Sequence, residues 1–370
     1  MTFARLVVTA ALLIGVPAPV QAQTYVEEEL RVPMAAAGPR GLEALLVRPS
    51  GTDRYPLALL SHGSPRAASA RPDMSPWAML PQAIEFARRG FAAVVLMRRG
   101  YGGSGGSWAE TYGGCANADY VAAGTAAAAD LKAAIPPLGK RPDIDVSRMI
   151  AVGVSAGGFA TVALTAEAPP GLVAAISFAG GRGSDREDDV CRPERLVEAF
   201  RVFGGRSRTP MLWVYAQNDH FFGPKLAQKM RQAFAAGGGK VDFVDAPPFG
   251  SDGHSLFSAS GIPEWTGMID AFLRQEGLTV RTTLLPSPPR PPLSAPRALS
   301  ANGRKAFESY LMSGPHKAFA LGPDGHFGWQ SGQRTIDGAK SGALQYCREN
   351  GDGCTVMFVD DAALSEGAPD

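Results

Sequence analysis

An α/β fold, with a mostly parallel, doubly wound sheet between helices, is predicted by three features of the chain. Short apolar runs alternate with helical patterns from residue 57 to residue 275. These runs are continuously apolar, as strands buried on both faces must be. Ahead of them, Tyr25–Val32 and Leu42–Arg48 mix apolar and polar residues around the turn Ala37–Gly41, which reads as an antiparallel hairpin.

In order, the pattern predicts strand Leu57–Leu60, helix Trp77–Arg89, strand Phe91–Met97, helix Tyr120–Ile135, strand Met149–Val154 and helix Phe159–Glu167. It continues with strand Ala174–Ala179, helix Pro193–Phe203, strand Met211–Ala216, helix Pro224–Ala236, strand Val241–Asp245 and helix Pro263–Gln275. Repeated strand–helix units place the strands in one parallel sheet, whose carboxyl ends carry the active site. The proline-rich stretch 278–299 reads as a stiff linker. Beyond it, Ala306–Leu311 and Thr335–Cys347 look helical, and Lys317–Leu321 and Thr355–Val359 look like strands. They predict a small α+β module over 300–363, of a size that often needs a staple.

The chain has 370 residues, 36 basic and 35 acidic, for a net charge of +1. Nothing in this balance suggests nucleic acid or an anionic membrane as partner. The N-terminus reads as an export signal over residues 1–22: Arg5, an apolar run Leu6–Val16 too short to span a bilayer, and a cleavage site ending at Ala22. A secreted or periplasmic protein without a transmembrane anchor is expected. In an oxidising compartment the four cysteines should pair. Cys347 and Cys354 flank a short polar turn suited to a local bridge, leaving Cys115 for Cys191. There is no Cys-x-x-Cys and no nearby pair of histidines, so no metal is expected.

Chemistry is suggested by Gly153-Val154-Ser155-Ala156-Gly157, which joins an apolar strand to a small-residue helix. A sharp turn there would lift the Ser155 hydroxyl out of the backbone. The base that must take its proton is His254, in a glycine-rich loop after the last parallel strand. The acid that orients it is Asp219, just past strand Met211–Ala216; Asp252 is a rival but lies only two residues from His254. Backbone N–H groups of Ala156 and Ser64 would hold an oxyanion, with His62 bracing the loop His62–Pro65. Loops 101–117 and 180–191 should wall the pocket, tied by a Cys115–Cys191 bridge. Tyr101, Trp108, Tyr112, Phe221, Phe222 and His62 are the pocket candidates. One further motif, Gly100-Tyr101-Gly102-Gly103-Ser104-Gly105, matches a dinucleotide fingerprint, but no helix opens at its third glycine.

With Leu59–Pro65, Arg99–Gly105, Gly153–Gly157, Gln217–Asp219 and Gly253–His254, residues 25–277 resemble the α/β-hydrolase superfamily, in particular its dienelactone-hydrolase-like and prolyl-oligopeptidase-like branches. The resemblance implies an α/β-hydrolase domain over 23–277 with Ser155 as nucleophile, Asp219 as acid, His254 as base, and Ser64 with Ala156 as oxyanion donors. It implies no cofactor. Dienelactone hydrolases proper carry Cys where Ser155 stands, and the peptidase branch usually carries a propeller that does not fit before residue 50. The expected activity is that of a carboxylesterase on a small-molecule ester. An exopeptidase or amidase would use the same residues. An envelope-binding protein working through the C-terminal module, which could dock on envelope material or another protein, is the reading outside the enzymes.

Overall fold

The computed structural model describes residues 24–364. The predicted export signal lies outside the described residues. Eight strands form one sheet: β1 (Tyr25–Val32), β2 (Leu42–Pro49), β3 (Tyr55–Ser61), β4 (Ala92–Leu96), β5 (Ile144–Val154), β6 (Leu172–Phe178), β9 (Met211–Ala216) and β10 (Val241–Ala246). The sheet order is β1-β2-β4-β3-β5-β6-β9-β10. β1 pairs with β2, and β2 with β4, antiparallel. From β4 across to β10 every pairing is parallel. The expected hairpin and mostly parallel sheet are present.

Alternate residues of the strands face opposite sides, and the helices divide accordingly. Leu57, Leu59, Val94, Ala151, Ala175 and Trp213 face α2 (Tyr120–Gly139), α3 (Ala156–Ala166), α4 (Pro193–Arg206) and α5 (Pro224–Ala236). Ala58, Leu60, Val95, Ile150, Val152 and Ile176 face α1 (Leu80–Arg88) and α6 (Ile262–Gln275). Two apolar layers therefore enclose one sheet. Several bounds differ from the expected ones; β3 and β5, for example, begin earlier, at Tyr55 and Ile144. α3 starts at Ala156 rather than Phe159, because its first turn belongs to the Gly153–Gly157 bend. α2 runs past Pro136 and Pro137 to Gly139, and the N–H groups of Lys140 and Arg141 close on the carbonyls of Pro137 and Leu138. A short hairpin, β7 (Ser184–Arg186) with β8 (Asp189–Val190), lies inside loop 180–191; its polar sequence carries no strand pattern.

Residues 279–296 contain no helix or strand, yet part of this segment is strapped down. Leu285 N–H donates to the Arg88 carbonyl (3.0 Å), and Arg88 Nε donates back to the Leu285 carbonyl (2.9 Å). Beyond it, α7 (Ala301–Met312) and α8 (Ile336–Arg348) sandwich a four-stranded sheet in the order β12-β11-β13-β14. These strands are β11 (Ala318–Leu321), β12 (Phe327–Gln330), β13 (Thr355–Val359) and β14 (Ala362–Ala363). Along β11 Phe319 packs under α7, while Ala318 and Ala320 pack under α8. The module touches the larger sheet through Arg334, which donates to both carboxylate oxygens of Glu43 (2.8 and 3.0 Å). Both expected disulfides are formed, Cys115–Cys191 and Cys347–Cys354. His326 lies near the sulfurs of the second pair, a metal-like cluster among the described residues, but those sulfurs are bonded to each other and are not thiolate ligands.

The core makes one direct prediction. Trp213 is fully buried between Phe200 (ring centroids 5.0 Å) and Phe234 (4.9 Å). Trp213→Ala should destabilise the protein by about 3–5 kcal/mol, read as a lower urea midpoint with an unchanged slope.

Candidate active site

The Ser155 turn is tight for steric reasons visible on both sides. A Cβ on Gly153 would sit 2.2 Å from the Gly157 carbonyl oxygen, and one on Gly157 would sit 2.1 Å from the Ser61 carbonyl oxygen. Ser155 itself has φ 55° and ψ −123°, a conformation that costs about 1–3 kcal/mol. Hydrogen bonds hold it there: Ser155 N–H donates to Phe178 O (2.9 Å), and Gly181 N–H donates to Ser155 O (3.1 Å). Strands β5 and β6 thus fix the serine at the carboxyl edge of the sheet.

Asp219 follows β9, and its side chain is fully buried. Its Oδ1 accepts from the N–H groups of Phe221 (2.7 Å) and Phe222 (2.8 Å). His254 Nδ1 lies 3.1 Å from Asp219 Oδ2. An ionised carboxylate can only accept, so Nδ1 carries the proton and Nε2 keeps a lone pair, as a general base requires. Asp252 does other work: its Oδ1 accepts from the N–H groups of His254 (2.9 Å) and His220 (3.1 Å), capping the turn that carries the imidazole. Ser155 Oγ and His254 are not hydrogen-bonded to each other here. Phe221 bridges the two regions, lining the Ser155 cavity and stacking on His254 at 3.9 Å and 15°.

The second loop is close-fitting as well. A Cβ on Gly63 would lie 3.2 Å from the Ser155 Cβ. Ser64 and Ala156 both line the cavity beside Ser155. Beneath them, His62 Nε2 accepts from the Arg98 N–H (3.2 Å), so its Nδ1–H donates to the Gly63 carbonyl (2.6 Å). Burial, with the Arg98 guanidinium beside it, pushes His62 down to about 3. His62 is a neutral brace. Tyr101 is also buried; its hydroxyl donates to Glu110 Oε2 (3.1 Å) and lies within hydrogen-bond distance of Ser64 Oγ (2.9 Å). These two candidates therefore sit behind the cavity wall, because their polar atoms are spent on the loop. Trp108, Tyr112, Phe221 and Phe222 are in the wall.

Sequence reasoning missed the charged cluster that joins these loops. Arg98, at the end of β4, and Glu110 are fully buried and ion-paired, and Arg182 pairs with the same carboxylate. Arg98 also donates to Ser61 Oγ (2.7 Å) and the His62 carbonyl (2.8 Å). Burial alone would raise the Glu110 carboxyl, but Arg98 and Arg182 outweigh it and hold it at about 2. The available signal was a lone Arg-Arg pair directly after an apolar strand.

Loops 101–117 and 180–191 supply cavity wall as expected, and the Cys115–Cys191 bridge joins them. A third stretch, unforeseen, contributes Arg66 and Arg71. The cavity holds about 200 Å³. A larger hollow of about 440 Å³ lies between α2, α3 and α4, lined by none of the residues above. The glycine-rich run 100–106 serves packing: a Cβ on Gly105 would lie 2.0 Å from the Ala37 carbonyl oxygen, and Gly103 N–H donates to Glu43 Oε2 (2.6 Å).

Residues 38–238 match the family model of the X-Pro dipeptidyl-peptidases (S15 family). No curated protein matches the chain in sequence. Among solved structures, the acylaminoacyl peptidase of Pyrococcus horikoshii is 15% identical, with a TM-score of 0.50, over 72% of this chain and 44% of that one. An esterase of Pyrococcus furiosus is 14% identical, with a TM-score of 0.44, over 68% and 91%. Dipeptidyl peptidase 4 of Porphyromonas gingivalis is 16% identical, with a TM-score of 0.46, over 68% and 35%. At such identities the first likeness is one of fold. The chain spans less than half the length of the acylaminoacyl peptidases it matches (42% and 44%).

Two outcomes follow from the buried charges. Glu110→Gln strands two buried guanidinium groups and should cost about 3–5 kcal/mol in urea unfolding. His62, held at about 3 against an ordinary 6.5, is neutral in the folded chain while the unfolded chain takes up a proton. Stability from this group is present above pH 6.5 and is lost as pH falls towards 3. Glu110, held at about 2 against 4.5, adds loss in the same direction below pH 4.5. Stability measured from pH 7 to pH 4.5 should fall, and His62→Gln should flatten that slope.

Proposed function

The chain belongs to the X-Pro dipeptidyl-peptidase (S15) family of α/β-hydrolase serine hydrolases, and on that premise we propose that it is a carboxylesterase acting on small esters. His254 Nε2 takes the Ser155 Oγ proton as Oγ attacks the ester carbonyl. Asp219 stabilises the imidazolium, and the Ser64 and Ala156 N–H groups receive the oxyanion. His254 returns the proton to the departing alkoxide, leaving acyl-Ser155. Water, deprotonated by His254, adds to the acyl carbon and releases the acid. The observation that carries this reading is the Asp219–His254 pair, linked through Phe221 to the open cavity that a strained Ser155 lines.

The family's description favours a second reading, release of X-Pro dipeptides. An enzyme that removes dipeptides from a free N-terminus must hold an ammonium group, which calls for carboxylates. The cavity wall contains Arg66, Arg71 and Arg182 against a single carboxylate, Asp185. This charge balance supports the ester. We also assign the protein to an oxidising compartment, supported by the two disulfides. No helix of the described residues is long and apolar enough to cross a membrane.

Ser155→Ala should lower ester turnover by at least about 10³-fold and abolish labelling by a fluorophosphonate. Activity retained in that variant would defeat the assignment. A p-nitrophenyl ester of a short acid should be cleaved and an X-Pro p-nitroanilide left intact; the reverse preference would establish the peptidase reading.

A further inference from the structure

The cavity beside Ser155 carries more positive charge than ester hydrolysis needs. The oxyanion is served by backbone N–H groups and the imidazolium by Asp219, yet three arginines stand in the wall. Arg66 Cζ lies over the Phe221 ring, 3.7 Å from its centroid, and Arg71 Cζ over the Trp108 ring at 3.5 Å. Stacking occupies the faces of a guanidinium and leaves its N–H edge for an acceptor. Among the described residues neither Arg66 nor Arg71 makes an ion pair; Arg66 donates to Ser184 Oγ (3.1 Å). Arg71 keeps its Nε–H buried without an acceptor.

Arg182 is only 6% exposed and shares Glu110 with Arg98, so one carboxylate answers two guanidinium groups. Its Nε–H is also buried and unpaired. Asp185, the one opposing charge in the wall, accepts from the Tyr112 hydroxyl (3.2 Å). Cationic groups gathered on one cavity raise its potential and draw in an anion.

We propose that the substrate is an ester bearing a carboxylate, held in this cavity by Arg66, Arg71 and Arg182. The proposal rests on the serine-hydrolase reading of Ser155 and deepens it. A cavity of about 200 Å³ is smaller than the roughly 300–1,000 Å³ of drug-sized ligand sites, which suits a short dicarboxylic half-ester. Arg71 and Arg66 act as binding residues and take no part in bond making.

Two pairs of probes separate the carboxylate's position. On the acyl side, 4-nitrophenyl hydrogen glutarate is compared with 4-nitrophenyl pentanoate. On the alcohol side, the pentanoate of 4-hydroxybenzoic acid is compared with that of its methyl ester. The wild-type protein should prefer the charged member of at least one pair by about tenfold or more in kcat/KM. Arg71→Gln and Arg66→Gln should each lower that ratio several-fold, mainly through KM, and added salt should shrink it. Equal or inverted preference in both pairs, unmoved by either variant and by salt, overturns the subsite while leaving the hydrolase intact. The same esters titrated onto Ser155→Ala read binding without turnover. Tighter binding of the charged ester supports the subsite even if no ester is cleaved, an outcome that would instead sink the hydrolase reading. Equal affinities overturn the subsite whatever the turnover.

Discussion

The buried carboxylate of Glu110 ties together loops that otherwise have little reason to meet. It lies in the loop after β4 and pairs with Arg98 at that strand's end and with Arg182 in the loop after β6. Arg98 reaches on to Ser61 and to the His62 carbonyl, at the end of β3. Three strand ends are thereby joined through one ionised group. Removing charges from water is expensive, and a buried network returns that cost only when its partners are all present. Glu110 meets that condition with two guanidinium groups and the Tyr101 hydroxyl. Its gain is geometric: the loop that carries Ser64 is set against Ser155 by groups that cannot relax into solvent.

The strained serine depends on the same neighbourhood. With φ at 55°, Ser155 would relax if its surroundings allowed it. They do not, because the neighbouring backbones lie so close that a Cβ on Gly157 would sit 2.1 Å from the Ser61 carbonyl oxygen and one on Gly63 3.2 Å from the Ser155 Cβ. The two apolar layers on either side of the sheet hold those backbones at fixed spacing. Core packing, a buried ion network and a strained turn are thus successive links of one arrangement. The C-terminal module joins it at one remove, since Arg334 shares Glu43 with the Gly103 N–H of the glycine-rich loop.

Much of this was legible in the sequence because it is periodic or local. Continuous apolar runs announced the strands, and Met211–Ala216 and Pro224–Ala236 have the expected bounds. The glycines around Ser155 announced a sharp bend. The positions of Cys115 and Cys191 in two loops at one sheet edge announced their bridge. Asp219 and His254, 35 residues apart, could be set side by side only because a parallel sheet brings its strand ends together. Glu110 had no such frame. Its partners lie 12 and 72 residues away in aperiodic loops, and nothing near it in sequence records them. Arg66 and Arg71 were invisible for a related reason: their loop reads as polar surface, and only the folded chain shows them stacked on Phe221 and Trp108. Strands β12 and β14, of four and two residues, are too short to show a period.

Phe221 connects the charges in the cavity to the chemistry. One face of its ring carries the Arg66 guanidinium, and the ring also stacks on the His254 imidazole. Its backbone N–H donates to the Asp219 oxygen that lies 3.2 Å from His254 Nδ1. A single residue therefore helps to place Asp219, His254 and Arg66. A ring so shared is constrained from both sides, and moving it would disturb all three. An aromatic between a guanidinium and an imidazole also keeps the two cationic groups apart when the imidazole is protonated, while the ring's negative faces favour both.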